Sequence, residues 1–326
     1  MLENNKKLER LYKVLGKDYV LKKASEISES EIVRTEVFGL DYVLDGGIRL
    51  CEGGHKIEFF GDESSGKSTF CLFIIKKYQK LGKSVVYIDT EHSYDKSWAK
   101  HLGVDNEKLL ILTPRNLEEI GDILPKLIPE VDLIIIDSIV AQLAKEQIDR
   151  GTDEPTMALQ ARVNSIICGK VYEAIEDKKT TIIFVNQVRE KVGVMFGNPE
   201  TTSGGHALRH LYNTRIKFKR SKGIDKGTGR EKERIGNEII LNCIKNKRGK
   251  PHRKTCIKFY DTGKINQKES ILFKGIQFGV VDIRKNTYIF KNKKGTKNKF
   301  LEKLTPKDWK EIEEGIWNKL NPKGRS

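Results

Sequence analysis

Hydrophobic and polar positions along this chain switch between two periods, and each switch marks an element. Leu8, Leu11, Tyr12 and Leu15 stand at i, i+3, i+4 and i+7, which predicts a short helix over residues 3–15. A helix this short is marginal alone, so its stripe needs its own domain or a neighbouring subunit to pack on. Residues 17–31 are charged and weakly patterned and read as a linker. The core starts near Ile32. Residues 35–44 read as a turn into a short helix, 46–54 as loop, 55–60 as a buried strand and 70–78 as a helix with one apolar face. Strands follow at 84–89, 109–112, 132–137 and 180–186, with helices near 94–102, 116–128 and 155–177. Pro125 predicts a kink or early stop in the helix over 116–128. Strands alternating with helices predict a mostly parallel sheet buried on both faces. Beyond Gly205 the pattern changes. Residues 213–220, 237–245 and 253–260 read as successive antiparallel strands, with 221–234 a charged, glycine-containing insertion. From about Gly263 onward a small basic α+β unit is predicted.

The 326 residues are 37% hydrophobic and 33% charged, a polar-leaning globular composition with enough apolar surface for a core. No apolar run is long enough to span a bilayer, and the first residues lack a signal-peptide pattern. A cytoplasmic protein without membrane contact is therefore expected. Cys51, Cys71, Cys168, Cys243 and Cys256 are widely spaced with no Cys-x-x-Cys, which reads as reduced thiols, not as a disulfide frame or metal site. The net charge of +16 sits at one end. From Arg209 on, 33 Lys and Arg face 12 Asp and Glu, a balance of +21 that leaves −5 for residues 1–208. On charge alone, a polyanion-binding surface and a merely solvated one explain this equally well.

Residues 61–69, GDESSGKST, fit Gly-x-x-x-x-Gly-Lys-[Ser/Thr] through Gly61, Gly66, Lys67 and Ser68, between a predicted strand and a predicted helix. Glycines there let successive N–H groups turn toward a phosphate, and the helix N-terminus adds partial positive charge. Lys67 suits the β- and γ-phosphates of a nucleoside triphosphate, and the Ser68 hydroxyl suits Mg2+. Four apolar residues and then Asp137 end the strand over 132–137; such an Asp is the usual metal partner of this loop, acting through water. Glu91, just past the strand over 84–89, is placed to orient or deprotonate an attacking water, with Asp89 competing for the role. Gln187 follows the strand over 180–186, where an amide can bond a γ-phosphate. After it comes a long loop over 188–205 with Gly193, Gly197, Pro199, Gly204 and Gly205, a candidate switch.

Residues 61–69, 87–95 (YIDTEHSYD) and 186–208 (NQVREKVGVMFGNPETTSGGHAL) closely resemble the bacterial RecA recombinase family, with similarity from about Thr35 to Tyr260. The resemblance implies an α/β fold: a RecA-like P-loop ATPase core with a mostly parallel central sheet, a short N-terminal polymerisation helix and a small C-terminal α+β domain. The implied domains are 1–31, 32–262 and 263–326. Gly61, Glu63, Ser64, Ser65, Gly66, Lys67, Ser68 and Thr69 would cradle ATP, with Ser68 and Asp137 holding Mg2+. Glu91 matches the catalytic glutamate, which lifts it over Asp89. Lys67 and Gln187 complete the catalytic set, Gln187 as the sensor amide. Asp95 and Trp98, the latter in place of a tyrosine, match the adenine contacts, and Ser138 joins Asp137 in the second nucleotide motif. Lys245 and Lys247 match two lysines that the family projects onto ATP bound by the adjacent subunit. Residues 149–157 and 188–202 match two DNA-binding loops. The implied DNA contacts in or beside them are Met157, Arg162, Arg189, Val192, Gly193, Phe196, Gly197, Asn198, Thr201, Thr202, Gly204 and Gly205.

The implied activity is DNA-dependent ATP hydrolysis with filament formation on single-stranded DNA, pairing with homologous double-stranded DNA, and strand exchange in DNA repair. Implied partners are DNA and further copies of the chain in a helical filament, with loader proteins and an SOS-response repressor as candidates. Several residues depart from the family. Asp62 replaces a proline, Arg209-His210 replaces a Lys-Phe pair at the subunit interface, and residues 149–155 diverge. Residues 321–326 are basic where the family has an acidic tail, so less restrained binding of duplex DNA is expected. The alternatives are a ring-type P-loop DNA motor and an accessory paralogue that binds single-stranded DNA without recombining it.

Overall fold

Helices cover both faces of a central sheet in the computed structural model, which describes residues 7, 9–11, 13, 14, 24–27, 29–139, 157–190, 200–202 and 204–320. The chain forms two units, 1–31 and 32–326. In the first, the described residues between 7 and 14 are helical, and Leu11 of the predicted stripe is 49% exposed. Leu8, Tyr12 and Leu15 lie outside the described residues.

Chain order runs β1 (Glu31–Val33), α1 (Phe38–Val43), β2 (Ile48–Leu50), β3 (His55–Gly61), α2 (Lys67–Lys80), β4 (Val85–Asp89), α3 (Lys96–Leu102), β5 (Leu109–Leu112), α4 (Leu117–Leu127), β6 (Leu133–Asp137), α5 (Met157–Ile175), β7 (Thr181–Glu190), β8 (Glu200–Thr202), α6 (Gly205–Leu211), β9 (Thr214–Lys226), β10 (Glu233–Asn246), β11 (Lys254–Tyr260), β12 (Ile265–Asn266), α7 (Gln267–Gln277), β13 (Asp282–Arg284), β14 (Thr287–Phe290), β15 (Lys293–Gly295), α8 (Lys297–Lys303) and α9 (Pro306–Leu320). The main sheet has the order β12-β11-β10-β9-β3-β7-β6-β4-β5, with β8 on β7. From β9 to β5 the neighbours are parallel; β9 to β12 and the β7–β8 pair are antiparallel.

Period-2 alternation sends each central strand's side chains to opposite cores. Val85, Tyr87, Ile135 and Ile183 join one core with Phe70, Ile74 and Tyr78 of α2. Val86, Ile88, Ile134, Ile136 and Phe184 join the other with Ile120 and Leu124 of α4 and Ile167 and Val171 of α5. Burial on both faces is why β6 is an unbroken apolar run.

Four sequence expectations change. Residues 46–54 are not all loop: β2 lies inside them and pairs with β1. Pro125 does not break α4, which runs through it and ends at Leu127; the proline forfeits one N–H bond, to the Gly121 carbonyl, and the helix ends two residues later. The strand expected to stop at Asn186 continues to Glu190, and β8 pairs back on it with Val188 opposite Thr202 and Glu190 opposite Glu200. The base of the 188–205 segment is therefore a ribbon, because its backbone groups find partners in each other. Residues 221–234 are likewise no insertion. They are the far half of the β9–β10 hairpin, whose register shifts at several bulges.

Beyond Gly263, β13–β15 form a three-stranded antiparallel sheet beside α7, α8 and α9. Trp317 of α9 packs on Phe38 of α1 with ring centroids 5.6 Å apart. The five cysteines are free, and only Cys256 is exposed. Among the described residues, no helix is long and apolar enough to cross a membrane.

Candidate functional site

Four parallel strands deliver the sequence motifs to one edge of the sheet. Across β3–β7 Gly61 is opposite Gln187, across β7–β6 Val185 is opposite Asp137, and across β6–β4 Asp137 is opposite Asp89. The crevice beyond the carboxyl ends of such strands is the usual ligand position in an open α/β sheet. Gly61 lies so close to β9 that a Cβ would stand 2.0 Å from the Phe218 carbonyl oxygen. Gly66 takes a left-handed conformation (φ 94°) at the start of α2 and offers no side-chain cap, so first-turn N–H groups point into the loop. Glu63 and Ser64 are exposed on the loop, Ser65 is buried, and Thr69 is half-buried in α2.

Lys67 is buried inside the loop, where its Nζ donates to the carbonyls of Gly61 (3.1 Å) and Asp62 (2.7 Å). Burial lowers its pKa, opposed by Asp137, Asp62 and Glu91. Asp137 is also buried. Burial raises its pKa, hydrogen bonds from Ser68 and Tyr87 oppose that, and Glu91 adds to the rise. The Tyr87 hydroxyl donates to Asp137 Oδ2 at 2.7 Å. Exposed Glu91 accepts from Ser138 Oγ at 2.5 Å. The Asp137–Ser138 peptide is cis, and Thr90 braces it: Thr90 Oγ1 donates to Ser138 O (2.6 Å) and accepts from Ser138 N (2.8 Å). Asp89 is committed elsewhere, accepting from the N–H groups of Ser93 (3.1 Å) and Tyr94 (3.0 Å). Of the two carboxylates that compete on spacing, Glu91 is thus the one turned toward Ser138 and the loop.

The donors near the loop are all oxygens: the Asp137 carboxylate, the Ser68 hydroxyl bonded to it, and Glu91. That set fits Mg2+, which takes one or two carboxylates together with substrate phosphates. Among the described residues, no cluster of three or more His, Cys, Asp or Glu forms a metal cage without them.

Asp95 caps α3, its Oδ1 accepting from Ser97 N (2.8 Å) and Trp98 N (2.9 Å). The Trp98 ring stacks on His101 with centroids 5.3 Å apart, and His101 Nε2 lies 2.8 Å from the carbonyl oxygen of Thr262. The turn after β11 therefore closes on His101, which stacks on Trp98, a neighbour that no local pattern in the sequence signals.

Lys245 and Lys247 are not at the phosphate loop. Lys245 is opposite Arg215 of β9, and Arg215 is opposite Glu58, three positions before Gly61. At about 3.3 Å per residue this places Lys245 roughly 10 Å back along the sheet. Its Nζ donates to the Arg209 carbonyl at 2.6 Å, and burial lowers its pKa to about 8. Lys247 is exposed and lies beyond it.

Of the implied DNA contacts, Arg162 is exposed on α5, and Met157 starts that helix. Arg189 and Thr201 face each other across the ribbon. Gly204 and Gly205 lead into α6 at φ 94° and 81°, a left-handed pair that side chains resist. Val192, Gly193, Phe196, Gly197 and Asn198, with residues 149–156, lie outside the described residues.

Thr202 belongs to a buried network that motif matching does not single out. Glu58, fully buried in the middle of β3, accepts from Asn186 Nδ2 (2.9 Å) and from Arg215 Nε. Arg215 Nη2 donates to Thr202 Oγ1 at 3.0 Å, and Asn186 Oδ1 accepts from Gln187 N at 2.9 Å. Burial raises the Glu58 pKa, and Arg215 opposes it. The available signal was a carboxylate amid apolar strand residues, which must be paired.

A family model described as the RecA N-terminal domain matches residues 3–265. The chain is 36% identical over 301 residues to Protein RecA of Mycoplasma mycoides subsp. mycoides SC, covering 89% of this chain and 85% of that one. It is 33% identical over 312 residues to Protein RecA of Bacteroides thetaiotaomicron, covering 95% and 93%. With Protein RecA of Streptomyces rimosus the identity is 35% over 277 residues, covering 84% and 72%. This chain belongs to the RecA family.

Proposed function

We propose that the protein is an ATP-dependent recombinase that polymerises on single-stranded DNA, pairs it with homologous duplex and exchanges strands, hydrolysing ATP in a DNA-dependent way. The observation that carries this reading is the register of Gly61 against Gln187. The phosphate loop and the ribbon leading to the implied DNA loop leave the sheet side by side, so one γ-phosphate can bias both. In this reading Lys67 exchanges its loop carbonyls for the β- and γ-phosphates, and Ser68 and Asp137 hold Mg2+. The metal, when bound, neutralises charge on the phosphates. Glu91, aligned by Ser138, takes a proton from the attacking water. Gln187 senses the γ-phosphate and passes its loss to the ribbon.

Lys245 and Lys247 lie away from their own loop, which supports their acting on ATP bound by a neighbouring copy. Head-to-tail contacts of that kind build a helical filament when they do not close. DNA held mainly through its phosphates would be bound with tolerance for sequence and sensitivity to salt. The test is strand exchange between a single-stranded circle and a homologous linear duplex, with Lys67→Ala as control. Joint molecules that need both ATP and Lys67 are expected; ATP hydrolysis indifferent to DNA would overturn the reading.

A further inference from the structure

We propose that Tyr87 is a positioning residue for the metal-holding carboxylate, its phenol hydroxyl fixing the orientation in which Asp137 meets Ser68 and Mg2+. The proposal rests on the reading of Ser68 and Asp137 as the Mg2+ site.

Tyr87 is on β4, opposite Ile135 of β6, and Asp89 is opposite Asp137 two residues further along. Residues two apart share a face, so Tyr87 projects on the same side of the sheet as Asp137. Two residues of strand span about 7 Å, close to the length of a tyrosine side chain. The hydroxyl can therefore reach along the sheet to Oδ2 of Asp137, and it does so at 2.7 Å.

The ring itself is held. Tyr87 is 2% exposed, and its ring packs at 60° to that of Tyr94, centroids 5.5 Å apart. Tyr94 is anchored in turn, its N–H to Asp89 and its hydroxyl to Asn106 at 2.6 Å. The phenol position is thus set by packing, and the carboxylate adapts to it.

A neutral donor suits this place. A lysine or arginine would also orient the carboxylate, but its charge would compete with the metal. A phenol offers one proton and no charge, so it fixes Asp137 and leaves its negative charge for Mg2+. Hydrogen-bond partners behind a metal ligand commonly set both its orientation and the metal affinity. A phenylalanine would fill the same volume without the donor.

The test uses the full chain and three variants: Tyr87→Phe, Asp137→Asn and the double variant. Mn2+ serves as the metal probe, followed by electron paramagnetic resonance with ATPγS present. Nucleotide binding is also measured in EDTA, and thermal midpoints are measured without metal. Tyr87→Phe is expected to raise half-saturating Mn2+ about tenfold. Metal-free nucleotide binding should hold, the midpoint should fall only slightly from the one hydrogen bond lost to buried Asp137, and the substitution should add nothing to the Mn2+ defect in the Asp137→Asn background. Wild-type Mn2+ affinity in Tyr87→Phe overturns the proposal. So does a loss of metal-free binding or midpoint that accounts for the change, since the hydroxyl would then be merely structural. If Asp137→Asn also binds Mn2+ like wild type, the metal-site reading itself falls, a result distinct from failure at Tyr87 alone.

Discussion

Lys67 and Glu91, two residues assigned chemistry in the proposed function, carry charges whose surroundings differ. Lys67 is buried among its own loop's carbonyls, with Asp137, Asp62 and Glu91 keeping its charge favourable. Lys67→Ala removes charge-assisted bonds worth about 1.5–3 kcal/mol each, so titration calorimetry should show ATP binding weakened about a hundredfold. Glu91 is exposed and makes one side-chain bond, to Ser138. Glu91→Gln should keep ATP affinity and lower single-turnover hydrolysis by about 10²–10⁴, the usual share of general-base catalysis. His55 gives a pH test at the other end of β3. Its Nδ1 accepts from Arg49 N, so Nε2 is the protonated nitrogen facing Thr214 Oγ1 at 2.8 Å. Burial, aided by Arg248, Arg49 and Lys56, pushes its pKa down to about 3. Below the unfolded value of about 6.5 the unfolded chain takes up a proton that the folded one refuses, so stability falls as pH falls from there toward 3. Urea melts at pH 6.5 and pH 5 should show wild type losing about 2 kcal/mol more than His55→Gln.

At the scale of elements, the central strands and helices were legible because period 2 and period 3.6 alternate cleanly from residue 55 to 186. The ribbon and the far half of the β9–β10 hairpin were not. Their strands carry charged and glycine residues, as in Lys219 to Lys226, and solvent covers much of them, so no apolar alternation survives to be read. What holds them is backbone pairing and the Glu58 network. Arg215→Ala would leave a fully buried carboxylate without its cation, a loss of about 3–5 kcal/mol. Chemical denaturation should detect it. Thr202→Val is the finer probe, because it nearly preserves shape and removes one oxygen. It should leave ATP binding unchanged and reduce the gain in single-stranded DNA affinity that ATPγS produces, read by fluorescence anisotropy.

At the scale of the whole molecule, the reading depends on a site shared between copies. Lys245 lies roughly 10 Å from its own phosphate loop along the sheet. The variant Lys245→Ala/Lys247→Ala should therefore bind ATP normally yet lose DNA-stimulated hydrolysis. Lys67→Ala should lose hydrolysis too. Mixed equally, the two should recover roughly a quarter of wild-type activity, because random head-to-tail contacts sometimes join an intact loop to intact lysines. No recovery would mean that the lysines serve their own subunit. The excess charge from Arg209 onward gives a second readout: single-stranded DNA affinity should fall on a log–log plot with a slope of about −0.7 per phosphate neutralised.

The sequence by itself determined the central strands and helices and the motif-bearing residues. Hydrophobic period and glycine spacing are local, and Gly61, Gly66, Lys67, Ser68 and Asp137 stand at their expected positions on strand ends and the first turn of α2. Spacing left Asp89 and Glu91 competing and the family resemblance favoured Glu91; only the tertiary structure shows what engages Asp89, whose carboxylate folding commits to the Ser93 and Tyr94 amides. It also decided that the Tyr87 hydroxyl donates to Asp137, that Glu58 joins three strands and the ribbon, and that Lys245 bonds the Arg209 carbonyl, away from its own loop. Each of these depends on which strand lies beside which. Strand order is set by the packing of helices on both faces of the sheet, and residues far apart in sequence become neighbours only through it.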